Sequence, residues 1–503
     1  MLRRNAAISA CLAIFTIASS APQCIANPLG QNANGSGDDP CLPFMLPNAD
    51  SWFNSSKKVF AHYFYPFPLS INNKSASDDY YNVNYLNRNG ESGKWAASGG
   101  YLRQRPLPVA VNSDRNWPLS NMQREVRMAI ARGITGFTFD VLSANEASGS
   151  DSTHLQMLLS AAHAVDPRFK ILIMPDISAL KSDSATVVNS IAVAASSPAA
   201  YRLADGRLVV SAFNAGANSP DWWSSVIAQL KTRGIAIAFV PTFLGWKGQA
   251  DAFASITHGF ADWGTATASV SEGMKNDSQL AHGKYGKIFM MPVDPQQYRP
   301  KDSIYWEAGN SATFRNAWMS SITGDAELVQ LVTWSDFSES SEIEPYTDST
   351  LRTDIGTAFY DLNAFYATWF LTGKQPPITH DVLYYFYRRE PTGAASPAQS
   401  APNKIVNSSP EDNIELLAFL TAPGELKITI GGRSEVQHAP AGITSFKVPT
   451  APGTPIFSLS RAGAEVFSFP GPIQIFGPGG LPAGVIDMTY WGGSASRRGV
   501  CTL

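Results

Sequence analysis

Between residues 57 and 375 the chain repeats one pattern, in which a short unbroken apolar run gives way to a longer stretch with apolar residues three or four apart. The runs fall at 59–65, 136–140, 171–176, 208–213, 235–241, 258–262, 288–292 and 328–334. Runs of this length predict parallel strands covered on both faces. The stretches between them predict helices. Ser120-x-x-Gln123 reads as a capping box ahead of Val126 and Ile130, and Gly133 reads as the stop. Pro220-Asp-Trp-Trp opens another helix with Val226, Ile227 and Leu230 on one face, closed by Gly234, and 352–371 reads as a last, aromatic-rich helix. Eight β/α alternations over roughly 300 residues predict a (β/α)8 TIM barrel over 57–375, a fold usually built from about 250 residues. A doubly wound open sheet fits less well, because no Gly-x-Gly-x-x-Gly turn follows the first run.

After Gly373 the periodicity changes. Residues 381–388 read as a strand with alternating character, 390–403 as a Pro/Ala/Ser-rich connector, and 413–476 as short strands between Gly and Pro turns. That spacing predicts a C-terminal β-sandwich over 376–503. At the other end, Arg3 and Arg4 precede an apolar stretch at 6–17 and the small-x-small triplet Cys24-Ile-Ala26, so 1–26 reads as a secretory signal peptide. Residues 27–56, rich in Gly, Asn, Asp, Pro and Ser, read as a leader that packs poorly. No later apolar run reaches about 18 residues, so no membrane contact is expected once the signal is removed. The expected location is secreted, extracellular or periplasmic. Of the four cysteines, Cys11 and Cys24 leave with the signal. Cys41 and Cys501 remain, and in an oxidising compartment they can pair.

Charge narrows the function. A net charge of -3, with no basic block, argues against nucleic acid as a partner. The 12 Trp, 17 Tyr and 27 Phe suit neutral, hydroxyl-rich ligands whose C–H faces stack on rings, although most of these rings serve a core of this size. There is no His-Glu-x-x-His or Cys-x-x-Cys to suggest zinc and no Gly-x-Ser-x-Gly elbow. No metal and no cofactor are expected.

Barrel enzymes carry their reactive groups at the C-terminal ends of the strands. Those ends supply His62, Tyr63, Tyr65, Asp140, Asp176, Asn214, Trp246, Asp262, Trp263, Asp294, Tyr298, Trp334, Asp336 and Glu339. Carboxylates and rings match acetal cleavage, which needs one carboxyl to protonate the departing oxygen, a second to attack or to activate water, and aromatic walls. Asp336 and Glu339 are three apart and share a face on a turn. They are the candidate catalytic pair, and His62, Tyr63, Tyr65, Asp140, Asp176, Trp246, Asp262, Trp263 and Trp334 are the candidate substrate contacts. Each has a plain rival. Asp140 and Asp176 can cap the helices that follow them, His62 can be a hydrogen-bonded core residue, Trp246 and Trp263 can be core, and the acidic loop with Glu342, Glu344 and Asp348 can be solvated or hold calcium.

Val59-Phe-Ala-His-Tyr-Phe, Gly133-Ile-Thr-Gly-Phe, Phe169-Lys-Ile-Leu-Ile-Met-Pro-Asp, Gly206-Arg-Leu-Val-Val-Ser-Ala-Phe, Phe239-Val-Pro, Met290-Met-Pro-Val and Thr333-Trp-Ser-Asp-Phe-Ser-Glu-Ser followed by Ile343-Glu-Pro carry a resemblance. Over about 57–390 the chain resembles glycoside hydrolase family 71, the α-1,3-glucanases or mutanases. The resemblance implies a (β/α)8 barrel with a C-terminal β-sandwich, an inverting mechanism without cofactor, and a catalytic acid pair at the Trp-Asn-Asp-Tyr-Gly-Glu-Ser motif, here Asp336 and Glu339. Ser335, Phe337 and Ser338 depart from that motif, as does Ser341-Glu342, which stands where the family has His-Tyr. The Ile-Glu-Pro ending resembles the endo-α-mannosidase and endo-α-mannanase barrels. The expectation is therefore a secreted, monomeric, endo-acting α-1,3-glucan hydrolase with Glu339 as acid and Asp336 as base, or with the two roles exchanged. The alternatives are a hydrolase of α-mannan or another α-glucan, and a silent polysaccharide-binding barrel.

Overall fold

The computed structural model describes residues 23–25, 39–264, 266–348, 355–394, 399, 402–479 and 485–502. Eight parallel strands form a ring: β1 (Lys58–Tyr63), β2 (Gly136–Val141), β3 (Lys170–Pro175), β4 (Leu208–Val210), β5 (Ile237–Phe239, continued by Thr242–Phe243), β6 (Gly259–Asp262), β7 (Ile288–Val293) and β8 (Leu328–Leu331). Pro241 divides β5. Its first piece pairs with β4 and its second with β6, and this split closes the ring, since β8 pairs with both β7 and β1. All eight predicted strands are present, with ends displaced by a few residues.

The principal helices outside the ring are α1 (Trp117–Ile130), α2 (His154–Val165), α3 (Ser184–Ala195), α4 (Pro220–Thr232), α5 (Ala312–Thr323) and α6 (Ala358–Thr372). The α1 start differs from expectation: its N-cap is Asn116 and Ser120 lies within the helix, so no capping box forms. Gly133 stops it as predicted, at φ 79°. Helix α4 begins as read, with the Ser219 side chain accepting from Trp222 N.

Strand parity sorts the side chains. Phe60, Leu172, Val209, Val240, Ala261, Met290 and Leu328 fill the interior of the ring. Two residues further along, the same face carries His62 on β1, and Thr138 on β2 reaches Gln330 on β8 across the interior at 3.2 Å. Residues of the opposite parity, such as Val59, Phe137, Ile171 and Phe289, pack beneath the helices.

The C-terminal region forms two antiparallel sheets. One joins 413–420, 382–387 and 491–496 with 442–449 and 499–502, and the other joins 424–430, 456–461, 433–439 and 464–470. Tyr385, Leu416, Leu426, Phe457 and Phe469 fill the space between them. The outer face of the first sheet packs on α6, with ring pairs Phe365–Phe419 and Phe359–Phe386 at 5.0 and 5.1 Å. Buried on both faces, Val382–Tyr387 is solidly apolar and aromatic rather than alternating.

Packing extends further toward the N-terminus than the composition suggests. Leu42, Phe44 and Trp52 are buried, and Asp39 joins Asp361 in gripping the buried Arg132 at 3.0 and 2.9 Å. Thus 39–56 is part of the core and not a loose leader. A disulfide joins Cys41 to Cys501 across 460 residues, with Cα atoms 5.6 Å apart. Apart from 23–25, which pair in parallel with the end of the chain, the signal-like segment lies outside the described residues. Among the described residues no helix is long and apolar enough to cross a membrane.

Candidate active site

After β8 the chain does not continue straight. Trp334 N donates to His62 O on β1 (2.8 Å), Thr333 N to Ser341 O (2.7 Å) and Ile343 N back to Thr333 O (3.0 Å), which folds 333–343 into a tight loop over the end of the ring. The Val332–Thr333 peptide is cis. Inside the loop Asp336 N donates to Thr333 Oγ1 at 2.8 Å, and Glu339 N turns back to Asp336 O at 3.3 Å. This is the turn geometry that lets residues three apart share a face.

The two carboxyls meet different surroundings. Asp336 Oδ1 accepts from Ser338 N (2.9 Å), Ser338 Oγ (2.7 Å) and, at 3.3 Å, Glu339 N. Burial raises its pKa, and those donors and the charge of His62 oppose the rise. Glu339 is pushed up to about 7, first by burial and then by the charge of Asp336. Arg299 Nη2 lies 2.6 Å from Glu339 Oε1, and Gln297 Nε2 donates to Oε2 at 2.6 Å. Both come from a hairpin after β7, Gln297–Arg299 against Ile304–Trp306. Alternation on this strand puts Gln297 and Arg299 toward the acid. Tyr298 turns the other way, its hydroxyl donating to Asn403 Oδ1 at 3.1 Å, while Tyr298 N holds Glu339 O at 2.7 Å.

Opposite the pair stands His62, 2 % exposed, with Trp263 edge-on to its ring at 4.8 Å. Its Nε2 is 3.6 Å from Asp140 Oδ2. Asp140 Oδ1 and His62 Nδ1 are buried without a partner among the described residues, which is unusual unless a ligand completes them. Asp176 caps the turn Ile177–Leu180 through Ala179 N at 2.9 Å and still faces the site, raised to about 6 by burial and by Asp140. Asp294 on the β7 end is raised well above its ordinary value by burial, then by Glu339 and Asp262.

The structure therefore brings together His62, Asp140, Asp176, Trp263, Asp294, Asp336 and Glu339, with Tyr65 at the edge. It separates others from them. Tyr63 has the parity opposite to His62 and lies under α1, donating to Glu125 Oε2 at 2.9 Å. Trp334 packs between Phe137 and Tyr360, its Nε1 3.4 Å from Glu125 Oε1. Trp246 is fully buried against Phe260 and Phe289 and bonds Asp277. Asp262 holds its own loop, accepting from the amides of Gly245 and Trp263. Asn214 donates to Ser178, and Tyr298 is turned toward Asn403 and Ile486. The rival reading of an open, solvated acidic loop fails for Glu342 and Glu344. Both are buried, 2 % and 0 % exposed, and among the described residues neither carboxyl has a side-chain hydrogen-bond partner. Among the described residues no cluster of three or more His, Cys, Asp or Glu could hold a metal ion.

Sequence reading missed Arg299, Gln297 and Glu125. For the first two the alternation Gln-Tyr-Arg was the available signal. Glu125, inside an amphipathic helix 209 residues before Trp334, offered none.

The model of glycosyl hydrolase family 71 matches residues 109–496. A glucan endo-1,3-alpha-glucosidase of Schizosaccharomyces pombe is 25% identical over 387 residues, covering 72% of this chain and 88% of that protein. A mutanase of Penicillium rubens is 26% identical over 214 residues, covering 40% and 47%. Among solved structures, a GH99 endo-alpha-mannosidase from Bacteroides superposes with a TM-score of 0.48 at 15% identity, covering 63% of this chain and 97% of that one.

Proposed function

Given that the chain belongs to glycosyl hydrolase family 71, we propose that it is a secreted, endo-acting α-1,3-glucan hydrolase that inverts the anomeric centre, with Glu339 as general acid and Asp336 as general base. In this reading 1–26 is a removable signal, 57–375 the catalytic barrel and 376–503 its companion sandwich. The observation that carries the site assignment is the pairing of two carboxyls on one turn in unlike surroundings. Glu339, near 7, can still hold a proton at neutral pH, and Asp336 is held in one orientation by three donors on one oxygen, which supports its reading as the base. Glu339 gives its proton to the glycosidic oxygen as the C–O bond breaks. Asp336 takes a proton from the water whose oxygen bonds the anomeric carbon from the opposite side. His62, Asp140 and Asp176 present polar atoms to sugar hydroxyls, and Trp263 supplies a ring wall.

The test is reducing-sugar release from α-1,3-glucan by the parent, Asp336→Asn and Glu339→Gln. Each variant should lose roughly 10²–10⁴-fold in kcat. Equal release by all three removes the pair from catalysis. Proton NMR of fresh product should show the β-anomer first, and the α-anomer would refute inversion. Faster release from α-mannan than from α-1,3-glucan would reassign the substrate.

A further inference from the structure

A second cavity opens beside the site, between the segment after β1 and the first turns of α1 and α2. It has a volume of about 240 Å³, and its walls include Tyr65, Pro66, Trp117, Asn121, His154 and Met157. Helices of a barrel begin where strands end, so the cavity lies on the face that carries Asp336 and Glu339. Three features describe what it can take.

First, Trp117 is only partly buried, and among the described residues it packs against no other ring and its Nε1 has no partner. The other large rings nearby are committed: Tyr65 stacks between His154 at 4.5 Å and Phe139 at 5.6 Å. Trp117 is therefore a free flat platform beside proline and methionine C–H groups. Second, the Asn121 amide at the same wall also lacks a partner among the described residues, so a donor and acceptor stand next to an apolar face. Third, among the described residues the lining carries no unpaired ionic group. His154 Nδ1 is held by Glu146 at 3.0 Å, and Glu125 lies beneath, fully buried, pushed by burial to about 8 and so protonated at neutral pH. A neutral ligand with one C–H face and hydroxyl edges fits these walls, and an anion does not.

Tyr65 links the cavity to the end of β2, since it lines the cavity and its ring stacks 5.6 Å from that of Phe139, the residue that precedes Asp140. A chain lying across Asp140 and passing Tyr65 would arrive here. We propose that this cavity is a distal subsite that holds one pyranose ring of the polysaccharide against Trp117, with Asn121 bonding its hydroxyls. The proposal rests on the α-glucan reading above.

The experiment compares the parent with Trp117→Ala and Trp117→Phe on polymeric α-1,3-glucan and on the shortest α-1,3-linked oligosaccharide the enzyme cleaves. Thermal melts confirm that each variant is folded. Trp117→Ala should raise KM for the polymer about tenfold with kcat unchanged, leave the short substrate unaffected, and be largely rescued in Trp117→Phe. An equal change on both substrates, or none on the polymer, overturns the subsite. If the parent cleaves no α-1,3-glucan, the substrate reading has failed, and the cavity is read separately by sedimentation of Glu339→Gln with insoluble α-glucans and α-mannan. Loss of binding on adding Trp117→Ala then supports a sugar site, and unchanged binding to all of them refutes it.

Discussion

Replacing Glu125 by glutamine should make thermal stability less sensitive to pH between 5 and 7. Glu125 is buried beneath α1, accepts from Tyr63 and Trp334, and is pushed from 4.5 up to about 8, mainly by burial. A carboxyl whose folded pKa lies above its unfolded one contributes stability that is fully present below 4.5, erodes as pH rises, and is lost by about 8. At 1.36 kcal/mol per pH unit, holding the proton costs about 3 kcal/mol at pH 7 and about 1 kcal/mol at pH 5. The glutamine amide resembles the protonated acid in shape and does not ionise, so about 2 kcal/mol of pH dependence should vanish. Unfolding entropies near 2.1 cal/mol/K per residue convert this into about 2 °C for a chain of 503 residues. Scanning fluorimetry of parent and Glu125→Gln at pH 5, 6 and 7, with the disulfide intact, reads the difference. The parent should lose about 2 °C more than the variant from pH 5 to 7, and parallel slopes would refute a protonated Glu125.

Removing the cation beside the proposed acid, as Arg299→Met, should raise the Glu339 pKa further from about 7 and move the alkaline limb of kcat/KM upward by about one pH unit. An unmoved limb would detach Arg299 from that titration. Cys41→Ser opens a loop of 460 residues in the unfolded chain and should cost about 2–5 kcal/mol, seen as a lower Tm that reducing agent does not lower further. A Tm equal to the parent's would show that the bond adds no stability.

Much of the barrel was legible because burial on both faces demands unbroken apolar strands, and all eight announced themselves. The carboxyl pair was legible for a local reason: three residues on a turn bring Asp336 and Glu339 together whatever lies around them. Which neighbours face the carboxyl pair was less legible. His62 and Tyr63 are adjacent in sequence yet stand on opposite sides of β1, and the two-residue period that fills the ring with Phe60 already separates them. Val382–Tyr387 looked like an alternating strand, but packing on α6 buries its second face.

By itself the sequence determined the strand count, the order of strands and helices, and the loop that carries two acids, because these follow from periodicity and from spacings of a few residues. Tertiary structure alone decided that Glu342 and Glu344 turn inward, that Arg299 and Gln297 reach Glu339, that Glu125 sits under Trp334, and that Cys41 meets Cys501. The reason is that a carboxyl's solvation and charge partners are set by groups tens to hundreds of residues away, whose approach exists only once the ring has closed.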